Sequence, residues 1–175
     1  MRTLLALTAA VLLAGCGGGA TTETVTVSET ETEEATAGGA TDAEWPPEPV
    51  RRTQEGLLEA AQSGEVDALA PYVTDRLSYS FGGPVEGGAV AYWKQLEADG
   101  ENPLGTLVKV LSLPWTLAQG NYVWPWVYTV PRSDLTDYET QLLGDLADDF
   151  DGSTYLGWRA GIAPDGTWIF FVAGD

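Results

Sequence analysis

Hydrophobic residues fall into three different rhythms along the 175-residue chain. Leu4 to Leu13 is an apolar run interrupted only by Thr8, too short to cross a bilayer as a stable helix. Residues 17–44 carry only two large apolar side chains, Val25 and Val27, among Gly, Thr and Glu. From Trp45 onward, apolar positions recur with the periods of helices and strands.

In that last region the spacing of Val50, Leu57, Leu58 and Ala61 predicts a helix over 48–63. Pro46, Pro47 and Pro49 lie at its start and Gly64 at its stop. Asp67 is placed to cap a second, shorter helix carrying Ala68, Leu69, Tyr72 and Val73, made irregular by Pro71. Leu77 to Phe81 alternates apolar and polar, as a half-buried strand does. A loop over 82–88 leads to a helix over 89–98, with Val90, Trp93 and Leu96 inward. Leu104 to Leu113 reads as β-rich, and a turn at Gln119-Gly120-Asn121 introduces a second strand, Tyr122 to Val130. Pro125 interrupts that strand and implies an edge or a bulge. Ser133 begins an expected helix to about Phe150, with Leu135, Tyr138, Leu142, Leu146 and Phe150 on one side. A hairpin follows, with arms 155–162 and 167–173 joined through Ala163-Pro164-Asp165-Gly166.

This order of elements predicts an α+β domain over 45–175: one curved antiparallel sheet with helices packed on one face. It resembles the NTF2-like (SnoaL-like) superfamily, and the resemblance implies a cone-shaped domain. The 133–150 helix departs from the simplest form of that pattern and would cover the open end of the cone. The closing phrase from Gly166 to Asp175 is also similar to the ending of some exported bacterial proteins.

The first forty-four residues carry an address. Met1 and Arg2 give a positive start, the 4–13 run is an h-region, and Leu13-Ala14-Gly15-Cys16 follows. That tetrad resembles the bacterial lipobox. The resemblance implies that residues 1–15 are a signal peptide and that Cys16 is lipidated on sulfur, a palmitate-bearing anchor, with cleavage before it. Two or more acyl chains give durable attachment. The alternative is an ordinary signal peptide with an incidental cysteine. Residues 16–44 then form a disordered tether, which its acidic side chains extend. The expected location is the extracytoplasmic face of a membrane.

Charge and composition narrow the function by exclusion. The chain holds 26 acidic against 8 basic residues, and within 45–175 the balance is 19 to 7. Nucleic acid needs a basic footprint and is therefore no partner. The chain has no histidine and a single cysteine. Ser-His-Asp and Cys-His catalysis and ordinary zinc sites are thereby excluded. Gly82 to Gly88 lacks both the GxGxxG spacing and a Walker loop, so no cofactor motif is present. Asp145, Asp148, Asp149 and Asp151 do not match a calcium loop, because the sixth residue from Asp149 is Thr154 rather than glycine. They read as a solvated face, with no metal assigned.

The remaining candidate chemistry is aromatic. Alternation places Tyr122, Trp124, Trp126 and Tyr128 on one strand face. If Ile162 pairs with Thr167, Tyr155, Arg159, Trp168 and Phe170 share another, with Arg159 a lone cation among rings. Two readings stay open. One is a concave pocket lined by Tyr79, Trp124, Trp126 and Trp168, with Arg159 anchoring an anionic or carbonyl ligand. The other is a large aromatic core with Arg159 paired to a carboxylate or at the sheet edge. For catalysis only Asp75 stands out, opposite Tyr79, and it is equally a turn residue; no catalytic residue is assigned. The expected function is a non-catalytic module binding a small molecule or peptide outside the cell. The alternatives are a partner-docking envelope lipoprotein and, last, a small NTF2-like enzyme.

Overall fold

The computed structural model describes residues 45–174. The expected signal peptide, Cys16 and the tether through residue 44 lie outside the described residues, as does Asp175.

Helix α1 spans Glu48–Gln62 and buries Val50, Leu57, Ala60 and Ala61. Pro47 is its N-cap, and Gly64 follows its end at φ 78°, a left-handed conformation that stops a helix cheaply only when the residue is glycine. Val66–Tyr72 is a 3₁₀ segment burying Val66 and Leu69, its irregularity set by Pro71. Helix α2 (Gly88–Ala98) buries Ala89 and Trp93.

The segment expected as a strand over 104–113 is instead helix α3, Pro103–Leu111. Asn102 caps it, its side-chain oxygen accepting the Gly105 N–H at 2.9 Å, and Pro103 sits in its first turn. Leu104, Leu107, Val110 and Leu111 then form one buried stripe at helical spacing. A start signal plus a 3.6-residue period outweighs the β-propensity of the valines.

Strands β1 (Thr116–Ala118), β2 (Asn121–Trp124), β5 (Arg159–Ile162) and β6 (Trp168–Val172) form one antiparallel sheet in the order β1-β2-β5-β6. Helix α4 (Asp137–Leu143) precedes a separate two-stranded sheet of β3 (Phe150–Asp151) and β4 (Thr154–Tyr155). The fold is thus α+β, with helices beside a four-stranded antiparallel sheet and a small second sheet. Helices α1 and α3 pack on each other and on β5.

Four further expectations are corrected. The 77–81 strand is reduced to one parallel bridge on the edge of β6. Ser78 N–H donates to Ile169 O and Phe171 N–H donates to Ser78 O, each at 2.9 Å. The chain then turns away at Ser80, whose hydroxyl accepts the Gly82 N–H. The 122–130 strand ends at Trp124, because Pro125 has no N–H to continue the ladder; Trp126–Thr129 is a 3₁₀ turn. Trp126 and Tyr128 therefore do not alternate with Tyr122 and Trp124. The expected 133–150 helix is broken. Thr136, not Ser133, caps α4 in a capping box with Glu139, and Gly144 at φ 60° ends it. Leu143, Leu146 and Ala147 are buried, while Tyr138 and Leu142 are exposed.

The last correction concerns register. Ile162 pairs with Trp168, not Thr167, and Gly161 pairs with Phe170, so Ile169 is an extra, bulged residue in β6. Facing residues of an antiparallel pair share a side of the sheet. The bulge therefore puts Trp168 and Phe171 on the side of Ala160 and Ile162, and leaves Arg159 on the other. The expected grouping of Arg159 with Trp168 does not form. The core side closes with Trp93 of α2 against Trp168 (ring centroids 5.3 Å) and Phe171 (6.2 Å).

Candidate functional site

Among the described residues Arg159 is the one buried charged side chain, 8% exposed. Its Nη2 donates to Gly174 O at 2.6 Å and its Nη1 to Gly157 O at 3.4 Å. Its guanidinium carbon lies 5.5 Å from the ring centroids of both Phe81 and Tyr128. The ion pairs among the described residues are Arg52–Glu48, Arg76–Asp165, Lys94–Asp67 and Lys109–Asp145, and none includes Arg159. A buried cation is thus met by carbonyl dipoles and ring faces rather than by a carboxylate among these residues.

Tyr79 is half-buried, with its ring 5.7 Å from Tyr92 and 6.5 Å from Trp93. Its hydroxyl accepts the Val85 N–H at 3.0 Å. Tyr79 therefore holds the glycine-rich 82–88 segment, and Phe81 at the head of that segment lies over Arg159. Trp124, Trp126 and Trp168 are fully buried and, with Trp93, belong to the core. Their indole N–H groups have no acceptor within hydrogen-bond distance, although Glu139 feels the Trp126 N–H at longer range. The five candidate residues thus separate. Arg159 and Tyr79 are linked through the 79–85 segment, and the three tryptophans fill the interior. Asp75 is an exposed turn residue.

Phe81 and Tyr128 were not legible as partners of Arg159, since neither is near it in sequence. Asp149 and Tyr155 form a second grouping that sequence reasoning missed. The Tyr155 hydroxyl donates to Trp158 O at 3.0 Å. Burial first, and then the Asp149 charge, push the Tyr155 pKa above the ordinary phenol range, opposed by Arg159. Burial, then Asp148, raise the Asp149 carboxyl, opposed by Lys109. A side chain on Gly157 would strike both Asp149 and the Tyr155 ring, so glycine is required there by close approach. Tyr155 stays protonated and acts as a donor.

Open clefts are lined by described residues. One of about 190 Å³ is bounded by Tyr128, Pro131, Ser153, Thr154 and Tyr155. Another touches Thr53, Tyr72, Asp165 and Trp168, and a third lies at Trp45, Arg51 and Glu55. Among the described residues no three His, Cys, Asp or Glu side chains are placed to hold a metal ion, and no helix is long and apolar enough to cross a membrane. No protein-family model, curated protein or solved structure matches the chain.

Proposed function

We propose that the chain is an extracytoplasmic lipoprotein, anchored through Cys16, whose folded domain is a non-catalytic binding module with Arg159 as its ligand anchor. The observation that carries the binding half is the state of Arg159: a cation nine-tenths buried in a strongly acidic domain, held by carbonyls and rings without a carboxylate among the described residues. A buried positive charge of that kind is a recognition element for a small molecule or peptide bearing negative charge or a carbonyl. The address rests on the positive start, the 4–13 apolar run and Leu13-Ala14-Gly15-Cys16. The finer fold is read as NTF2-like. Its support is the order of elements: two helical pieces, an edge segment, two helices, then antiparallel strands.

Two measurements test this. Metabolic labelling with palmitate is expected to mark the exported protein, and Cys16→Ser is expected to release it from membranes; an unlabelled, membrane-bound mutant refutes the anchor. Native mass spectrometry of protein purified from its host is expected to show a bound small acid or peptide that Arg159→Ala loses. Retention by that variant refutes the binding site.

A partner-docking reading has one observation in its favour. Tyr138 and Leu142, four residues apart on α4, are both exposed. If Tyr138→Ala with Leu142→Ala, and not Arg159→Ala, abolishes the protein's association in the envelope, that reading replaces the first.

A further inference from the structure

We infer that the segment 81–88 is a gate over Arg159, and that the group it admits is a carboxylate. The inference rests on the reading of Arg159 as the ligand anchor and adds the ligand's chemistry and its control.

The segment is weakly held. Phe81 is 54% exposed, and its ring lies over the guanidinium. Residues 82–87 are exposed throughout. Among the described residues, and apart from the bonds within α2, three hydrogen bonds hold the segment: Gly82 N–H to Ser80 Oγ, Val85 N–H to Tyr79 Oη, and Gly88 N–H to Val85 O. Only one of these, from Val85 to Tyr79, ties the loop to a side chain packed on the core. Glycines flank the loop on both sides, with Gly83, Gly87 and Gly88 at positive φ, where pivoting is least restricted. A segment with few buried contacts opens at low free-energy cost. When it lifts, Arg159 loses the Phe81 ring and is uncovered, while its bonds to Gly157 and Gly174 and its contact with Tyr128 remain.

The ligand class follows from the donors left over. Two carbonyls accept from Nη1 and Nη2. The guanidinium then keeps N–H donors, Nε–H among them, with no protein acceptor among the described residues. A planar fork of donors matches a carboxylate bidentately, whereas a neutral amide supplies one acceptor and no charge. The acceptor can come from a free organic acid or from the carboxyl terminus of a peptide; both present the same group.

The test uses full-length protein in detergent micelles, labelled with ¹⁵N. The Arg159 Nε–Hε signal, assigned with Arg159→Lys, is followed during titration with succinate, with N-acetyl-glycyl-glycine and with acetamide. A carboxylate is expected to shift the signal and acetamide to leave it. Response to succinate alone identifies a free acid, response to the dipeptide alone a peptide terminus, and both outcomes support the assignment. Phe81→Ala is expected to speed association by about tenfold, because the competent state no longer competes with the ring contact. Equal association rates in the two proteins overturn the gate and leave the anchor standing. An equal response to acetamide overturns the carboxylate. No response to any probe in either protein overturns the anchor itself.

Discussion

Trp93 of α2 stacks on Trp168 of β6, ring centroids 5.3 Å apart and planes inclined by 26°. Both rings are essentially inaccessible to water, and Phe171 closes on each at 6.2 Å. The contact joins a helix near the middle of the chain to its last strand. Trp168→Ala is therefore expected to cost about 3–5 kcal/mol, the usual range for emptying a large aromatic site. Urea denaturation measures it. A loss below about 1 kcal/mol would mean that this stack is not part of the core.

Gly161 faces Phe170 across β5 and β6, and a methyl on Gly161 would land in the Phe170 ring. Gly161→Ala is expected to destabilise by about 1–3 kcal/mol through overpacking. The same change in a Phe170→Ala background is expected to cost much less, since the obstructing ring is gone. A double-mutant cycle with no coupling would contradict the register around the Ile169 bulge.

Thr136 and Glu139 satisfy each other's backbone N–H groups at the start of α4, at 3.2 Å and 2.9 Å. The Thr136 N–H and then the Thr136 hydroxyl, both donating to the Glu139 carboxylate, hold that carboxyl below its ordinary pKa. Thr136→Ala is expected to cost about 1 kcal/mol, and Ser133→Ala, outside the cap, about nothing by the same principle. Thermal melts of the two variants decide between the caps.

Two carboxyls should respond to acid with opposite sign. Asp165 is held below its ordinary pKa, chiefly by the Thr167 N–H and hydroxyl and then by Arg76. A depressed folded-state pKa stabilises above the ordinary carboxylate range, and the benefit disappears as pH falls through the depressed value. Asp165→Ala should therefore be less stable than wild type near neutrality, with the gap closing in acid. Asp149 is raised, chiefly by burial. Its ionised form opposes folding at neutral pH, so Asp149→Asn should be more stable there, and that gap should also close in acid. Melting temperatures between about pH 7 and pH 3, which bracket ordinary carboxyl titration, test both; parallel curves for either variant refute its assignment.

Much of the helical framework was readable because its signals are local. Pro47, Gly64 and the Val50–Ala61 stripe delimit α1 without reference to anything distant. Where the reading failed, a local preference competed with a nearby signal or with distant pairing. Asn102 and Pro103 turned an aliphatic stretch that includes Val108 and Val110 into a helix. Gly144 broke one long apolar period into α4 and a 3₁₀ turn. The bulge at Ile169 could not be seen at all, because it arises where β6 meets Ser78 on one edge and β5 on the other. That single extra residue decided the site. It sent Trp168 inward and left Arg159 with Phe81 and Tyr128, two residues that only the folded chain brings near.

Strand β6 lies between β5 and Ser78, so a segment late in the chain is wedged between an adjacent strand and a residue far earlier. A piece of the chain that stops short of Trp168 therefore has neither a partner for the Ser78 bridge nor the two rings that close on Trp93, and its interior stays unsealed.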